Sequence, residues 1–228
     1  MVDLPFFTGA LFSFLSDLSA NNSREWFKEN RGRYEADLKE PALRFILAMG
    51  ERLHEVSPSL RADPRPVGGS LFRIHRDLRF SKDKSPYKTH AGVHFRHSAA
   101  KDAHAPGLYL HLEPTGSFVG LGIWRPASAA LRVIREALVE APDRWNDAVG
   151  ALEASELVLS GDSLKRMPRG FDAEHPLSVD LRRKDFIAVA PLTREQVVSA
   201  DLLDHVLRTA AAGRPLLQLV CDALGVAR

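Results

Sequence analysis

Leu108-Tyr109-Leu110-His111-Leu112-Glu113 alternates leucine with a polar or aromatic residue at every step. Successive side chains of a strand point to opposite faces, so the leucines line one side and Tyr109, His111 and Glu113 the other. Strict alternation over this length marks a half-buried strand. Pro114-Thr115-Gly116 follows and predicts a hairpin into a second strand over residues 117–124. Residues 70–75 and 90–97 are short, β-rich and bounded by glycine or proline, and predict two more strands. Phe186 to Ala190 is a candidate fifth.

The flanks of this region have helical periodicity. Leu11, Phe14, Leu15 and Leu18 recur at i, i+3, i+4, i+7. Asn21-Asn22 closes that helix, and Asn22 with Glu25 has the spacing of a capping box for the next. The second helix carries Trp26, Phe27, Tyr34 and Leu38, with the aromatics expected in the core. Glu40-Pro41 starts a third, whose apolar stripe reads Leu43, Ile46, Leu47 and Leu53. Ser57 to Gly69, rich in proline and glycine, is a loop. After the strands, Leu131, Ile134 and Leu138 share a helix face, and two amphipathic helices close the chain. Trp124 is expected in the core at the sheet edge.

Helices, then strands, then helices argue an α+β fold: a central, mainly antiparallel sheet with N-terminal and C-terminal helices. The expected organisation is one domain over 1–228: helical 8–56, sheet-rich 70–124, and helical 127–228 with the candidate strand near 186–190. There is no internal repeat and no linker long enough to divide it.

Composition narrows the class. The chain has 228 residues, 45% hydrophobic and 26% charged, with a net charge of +2. Disorder needs less apolar content and more net charge. A broad nucleic-acid coat needs a larger basic excess. One cysteine excludes an internal disulfide framework and a cysteine-rich zinc site. Cys221 sits at a helical apolar spacing with Leu217, Val220 and Leu224 and reads as a buried structural thiol. No apolar run is long enough for a membrane span, and no signal peptide is evident, so a cytoplasmic location is expected.

The near-neutral total conceals a concentration of charge. Residues 73–88 hold Arg73, Arg76, Arg79, Lys82, Lys84 and Lys88 against Asp77 and Asp83, a local charge of +4 that leaves −2 for the rest. Arginine offers a planar fork for carboxylate or phosphate, and lysine adds point charge. The two aspartates are placed to orient particular cations, and Pro86 stiffens the exit. The expected ligand-binding set is Arg73, Arg76, Asp77, Arg79, Lys82, Asp83, Lys84, Tyr87 and Lys88.

A polar sheet face is expected to continue this segment. Arg73 and His75 would share one side of the first strand, His94 and Arg96 of the second, and Tyr109, His111 and Glu113 of the third. If the strands are neighbours, the surface is basic and rich in imidazole. Tyr87, His94 and His111 are the candidates for proton transfer. The alternative is an ordinary solvent-facing sheet side. His90, His94, His97, His104 and His111 cluster in sequence but lack a metal-ligand spacing; His90 and His94 would stand roughly 13 Å apart at about 3.3 Å per residue. No metal or cofactor is expected. Neither a Walker loop nor a serine-hydrolase elbow occurs, and Gly120-Leu121-Gly122 reads as strand.

The segment also resembles a known family. Arg73, Arg76, Asp77, Arg79 and Phe80, followed by Asp83, Lys84 and Tyr87, match the Arg-x-x-Arg-Asp-x-Arg-Phe and Asp-Lys-x-x-Tyr motif of the bacterial domain of unknown function 2461. The resemblance extends to Asn21-Asn22-Ser23-Arg24-Glu25-Trp26-Phe27, to Gly120-Leu121-Gly122-Ile123-Trp124 and to Leu164 through Gly170. It implies a single cytoplasmic domain of about this length, with no activity to carry over.

The leading expectation is a protein that binds a small anionic, phosphate-bearing ligand. Two alternatives stand beside it. One is an exposed basic patch for protein or nucleic acid, with affinity falling steeply in salt. The other is a structural motif in which Asp77 and Asp83 form buried ion pairs. The residues do not choose between a binder and an enzyme.

Overall fold

The computed structural model describes residues 4–79, 82–99 and 104–227. Phe80 of the basic motif lies outside them. Five strands form one sheet in the order β1-β2-β3-β5-β4: β1 Ala91–Arg96, β2 Gly107–Leu112, β3 Ser117–Ile123, β4 Val158–Ser160 and β5 Phe186–Leu192. All neighbours are antiparallel. The expected α+β architecture, a central antiparallel sheet between N- and C-terminal helices, is the one observed.

The alternation of β2 has the predicted effect. Leu108, Leu110 and Leu112 are buried, with Val93 and Phe95 of β1, Val119 and Leu121 of β3, and Phe186 and Ala188 of β5. Helices pack on this side. Helix α1 spans Gly9–Ala20, α2 Arg24–Glu29 and α3 Arg31–Arg33; a π-helical stretch, Tyr34–Lys39, then leads into α4, Glu40–Arg52. Phe45 of α4 meets Phe95 of β1 at 6.4 Å between ring centroids. Helices α5 Ser128–Glu140 and α6 Pro142–Glu153 follow β3, and a short α7, Ser178–Leu181, precedes β5. Helices α8 Arg194–Val197, α9 Leu202–Ala212 and α10 Arg214–Ala223 end the fold. Gly213 joins α9 to α10 beside β3, where an added Cβ would stand 2.3 Å from Leu121 Cδ1. Cys221 is buried at 3% exposure, as expected.

Four local expectations are corrected, and one strand had no local expectation. Residues 70–75 are not a regular strand. They pair with β1 only at Leu71 and Val93, then turn away and pair at His75 and Tyr87, so no continuous ladder forms. The expected stripe of α4 holds at Ile46 and Leu53, which are buried, and in part at Leu43, but Ala42, Phe45 and Met49 complete the buried face and Leu47 is 57% exposed. Phe45 and Met49 fill the core better from the neighbouring face. Ser23, not Asn22, caps α2, accepting from Trp26 N–H at 3.2 Å. Trp124 is 47% exposed, with the Arg125 guanidinium 4.8 Å from its ring centroid and the His104 ring stacked on it. Strand β4 has no counterpart in the periodicity because three residues at a sheet edge, with Val158 exposed, give nothing to alternate.

Candidate functional site

The basic segment is a loop closed at its base. Arg76 N–H donates to Pro86 C=O at 2.9 Å, and Lys88 N–H to Ile74 C=O at 2.8 Å. The base is anchored to the N-terminal helices by Asn22. Its side-chain amide donates to Tyr87 C=O at 3.0 Å, and its oxygen accepts from Tyr87 N–H at 3.1 Å. The Tyr87 ring lies flat on Phe27, 4.1 Å between centroids and 17° between planes. At 5% exposure it is part of the hydrophobic core, which gives this candidate a packing role.

Above the base, the two aspartates hold cations as expected. Asp77 receives Arg79 through Nε at 3.0 Å and Nη2 at 2.7 Å. That grip holds the Asp77 carboxyl well below the usual carboxylate range. Asp83 accepts from Ser85 N–H at 2.9 Å and Ser85 hydroxyl at 2.7 Å, and pairs with Arg76. The Ser85 bonds, then Arg76, lower its pKa to about 2. Lys84 donates to Leu78 C=O at 3.0 Å. These pairs stand in solvent: the Arg79 side chain is 76% exposed and that of Asp83 56%. They shape the loop; they are not the buried pairs of the structural alternative. Arg73 and Lys82 are exposed and make no ion pair among the described residues.

Lys88 differs from the other cations. Its ammonium lies 5.3 Å from the centroid of the Phe72 ring. Its pKa is lowered by burial first, then by Arg73 and Arg76. No carboxylate pairs with it among the described residues. Phe72 connects it to the sheet, standing 5.9 Å from both the His94 and Tyr109 rings. The polar sheet face is therefore joined to the loop by Phe72 and Lys88, not by Arg73 and His75, because residues 72–76 leave the sheet before their polar side chains can line it.

The register brings the face together. His94 pairs with Tyr109 across β1 and β2, Gly92 with His111, and His111 with Phe118 on β3. On β2 three side chains form a chain of hydrogen bonds. Tyr109 Oη is 3.1 Å from His111 Nδ1, and His111 Nε2 is 3.2 Å from Glu113 Oε2. With Glu113 ionised, Nε2 carries the proton and Nδ1 accepts from the tyrosine hydroxyl. The imidazole is clamped between Phe118 (4.7 Å, 12°) and His90 (4.5 Å, 31°). Gly92 makes room for the phenol: a Cβ there would come 2.5 Å from Tyr109 Oη.

Burial dominates the electrostatics. It lowers the pKa of His90 to about 4, assisted by His111 and Lys88, and that of His94 to about 4, assisted by Arg96. It pushes Tyr109 up to about 12, assisted by Glu113. It also lowers His111, but there the hydrogen bond to Glu113 opposes it. His94 is 8% exposed, and its Nδ1 has no partner among the described residues. Its ring covers Gly107, where a Cβ would sit 2.5 Å from Nε2. His94 is thus a buried neutral ring, whereas His111 belongs to a directed chain. Glu113, Tyr109, His90 and Phe72 were not in the expected site set. The i, i+2 alternation already placed Tyr109, His111 and Glu113 on one face, but the glycines and the Phe72 bridge needed the register. A groove of about 540 Å³ lies elsewhere, between α6 and β4, lined by Trp145, Asn146, Val149 and Arg183; no residue of the basic segment lines it.

Fold and site together define an α+β protein with a tethered cationic loop set beside an imidazole-rich sheet face. Residues 10–219 match the family described as conserved hypothetical protein (DUF2461), and the chain belongs to that family. No curated protein and no solved structure matches it. Among the described residues, no helix is long and apolar enough to cross a membrane, and no three His, Cys, Asp or Glu side chains are grouped to hold a metal ion.

Proposed function

We propose that this is a cytoplasmic protein that binds a small anionic, phosphate-bearing ligand through the Arg73–Lys88 segment. The carrying observation is Lys88: a part-buried ammonium, beside Arg73 and Arg76, without a carboxylate partner among the described residues. Partial burial of an uncompensated cation among like charges costs free energy, and an anion entering there would remove the cost. Arg73 is available for a second contact, and Arg76 is held in place by Asp83 and Ser85.

The test is binding of inorganic phosphate and pyrophosphate at low salt. Both should raise the unfolding temperature of the wild type. Lys88→Ala should weaken binding tenfold or more while leaving the ligand-free protein as stable or slightly more so, since a strained charge is removed. If neither anion stabilises the wild type, the reading fails. Binding of single-stranded oligonucleotide with a steep salt dependence, and no response to pyrophosphate, would instead support the exposed-patch alternative.

A further inference from the structure

The Tyr109–His111–Glu113 chain has features beyond those of a solvent-facing sheet side. Each bond is directional, and together they run from a carboxylate, through an imidazole, to a hydroxyl. The His111 ring is held on both faces, by Phe118 and His90. The Tyr109 hydroxyl occupies space that any residue but glycine at position 92 would close. Phe72 stands at the tyrosine end of the chain, with Tyr109 beside it and Lys88 over its ring. A proton acceptor and an uncompensated cation therefore share one neighbour.

We propose that Tyr109, His111 and Glu113 form a proton relay that hydrolyses a phosphate ester held by Lys88 and Arg73. This rests on the anion-binding reading above. In the step, a water oxygen forms a bond to phosphorus as the ester P–O bond breaks. The water proton passes to Tyr109 Oη while the tyrosine's own proton passes to His111 Nδ1. Glu113 stabilises the resulting imidazolium, and the departing ester oxygen takes a proton from solvent. No electron is transferred to or from the protein. Tyr109 is the residue that touches the water; His111 and Glu113 act through it. The groups facing His111 are His90 from the segment before β1, Tyr109 and Glu113 on β2 and Phe118 on β3, with Lys88 next beyond His90.

The experiment measures release of nitrophenolate from p-nitrophenyl phosphate and bis(p-nitrophenyl) phosphate in chelator-treated buffer, with phosphate binding followed in parallel by melting temperature. The wild type should hydrolyse at least one ester. Tyr109→Phe and His111→Asn should lower kcat by about 100-fold, on the scale of lost general-base catalysis, while retaining the phosphate-induced rise in melting temperature. Glu113→Gln should move the acidic limb of the kcat profile to lower pH, because Glu113 is what raises the affinity of His111 for its proton. A wild type that binds phosphate but hydrolyses neither ester overturns the relay and leaves the binding reading intact. Hydrolysis that survives His111→Asn, or an acidic limb unmoved by Glu113→Gln, overturns it as well. A wild type that binds no phosphate overturns the reading on which it rests.

Discussion

At the residue scale, glycines and histidines act as partners. Gly92 and Gly107 are strand glycines over which a larger ring lies, Tyr109 on the first and His94 on the second. A strand glycine is weak by itself, and a ring lying across it from the adjacent strand restores contact. His94 carries a consequence for pH. Its pKa is about 4 when folded, against 6.5 unperturbed. Above pH 6.5 both states are neutral and stability is full. As pH falls from 6.5 towards 4 the unfolded chain takes up the proton and the folded one resists, so stability drops, levelling off below the folded value. His90 acts in the same direction. Unfolding by denaturant at pH 7 and pH 4.5 should reveal this loss, and His94→Gln should flatten the curve by up to about 3 kcal/mol.

At the element scale, the basic loop depends on a contact far away in sequence. Asn22, in the turn between α1 and α2, makes both of its hydrogen bonds to the backbone of Tyr87. Replacing it with alanine strands a backbone donor and acceptor that are part-buried. Asn22→Ala should cost about 1–3 kcal/mol. It should also speed amide hydrogen exchange at Tyr87 and Lys88 relative to β2; equal protection in variant and wild type would mean that the anchor is redundant. The sequence placed Asn22 at a helix start, and it is there. Its role was illegible because two side chains in a row, Asn22 and Ser23, could each cap α2. Only the fold shows that serine caps while asparagine crosses 65 positions to the loop. The stripe of α4 was legible only in part for a similar reason: several apolar residues offered overlapping faces, and packing kept Ile46 and Leu53 but left Leu47 outside.

For the whole molecule, the sheet is the joint between distant parts of the chain. β5 enters between β3 and β4, pairing Gly122 with Ile187 and Ile123 with Phe186. Gly122 has φ +118°, and a Cβ there would lie 2.1 Å from Phe186 C=O oxygen. Neither backbone can yield without separating β3 from β5. Gly122→Ala should therefore cost about 3 kcal/mol or more, at the severe end for a single substitution. For a domain of this size that corresponds to a fall in melting temperature of roughly 6–12 °C. A variant melting within 2 °C of the wild type would show that the β3–β5 junction has room to adjust.

The α+β class, the leucine face of β2 and the charged segment at 73–88 were determined by the sequence itself, because alternation and charge density are local properties. So was the common side of Tyr109, His111 and Glu113, since a period of two fixes it. The tertiary structure alone decided that Tyr87 is core, that Lys88 is the part-buried cation of the segment without a carboxylate among the described residues, and that Phe72 connects the loop to the sheet. Those outcomes depend on register and on contacts between residues far apart in the chain, and neither is encoded in the spacing of any one segment.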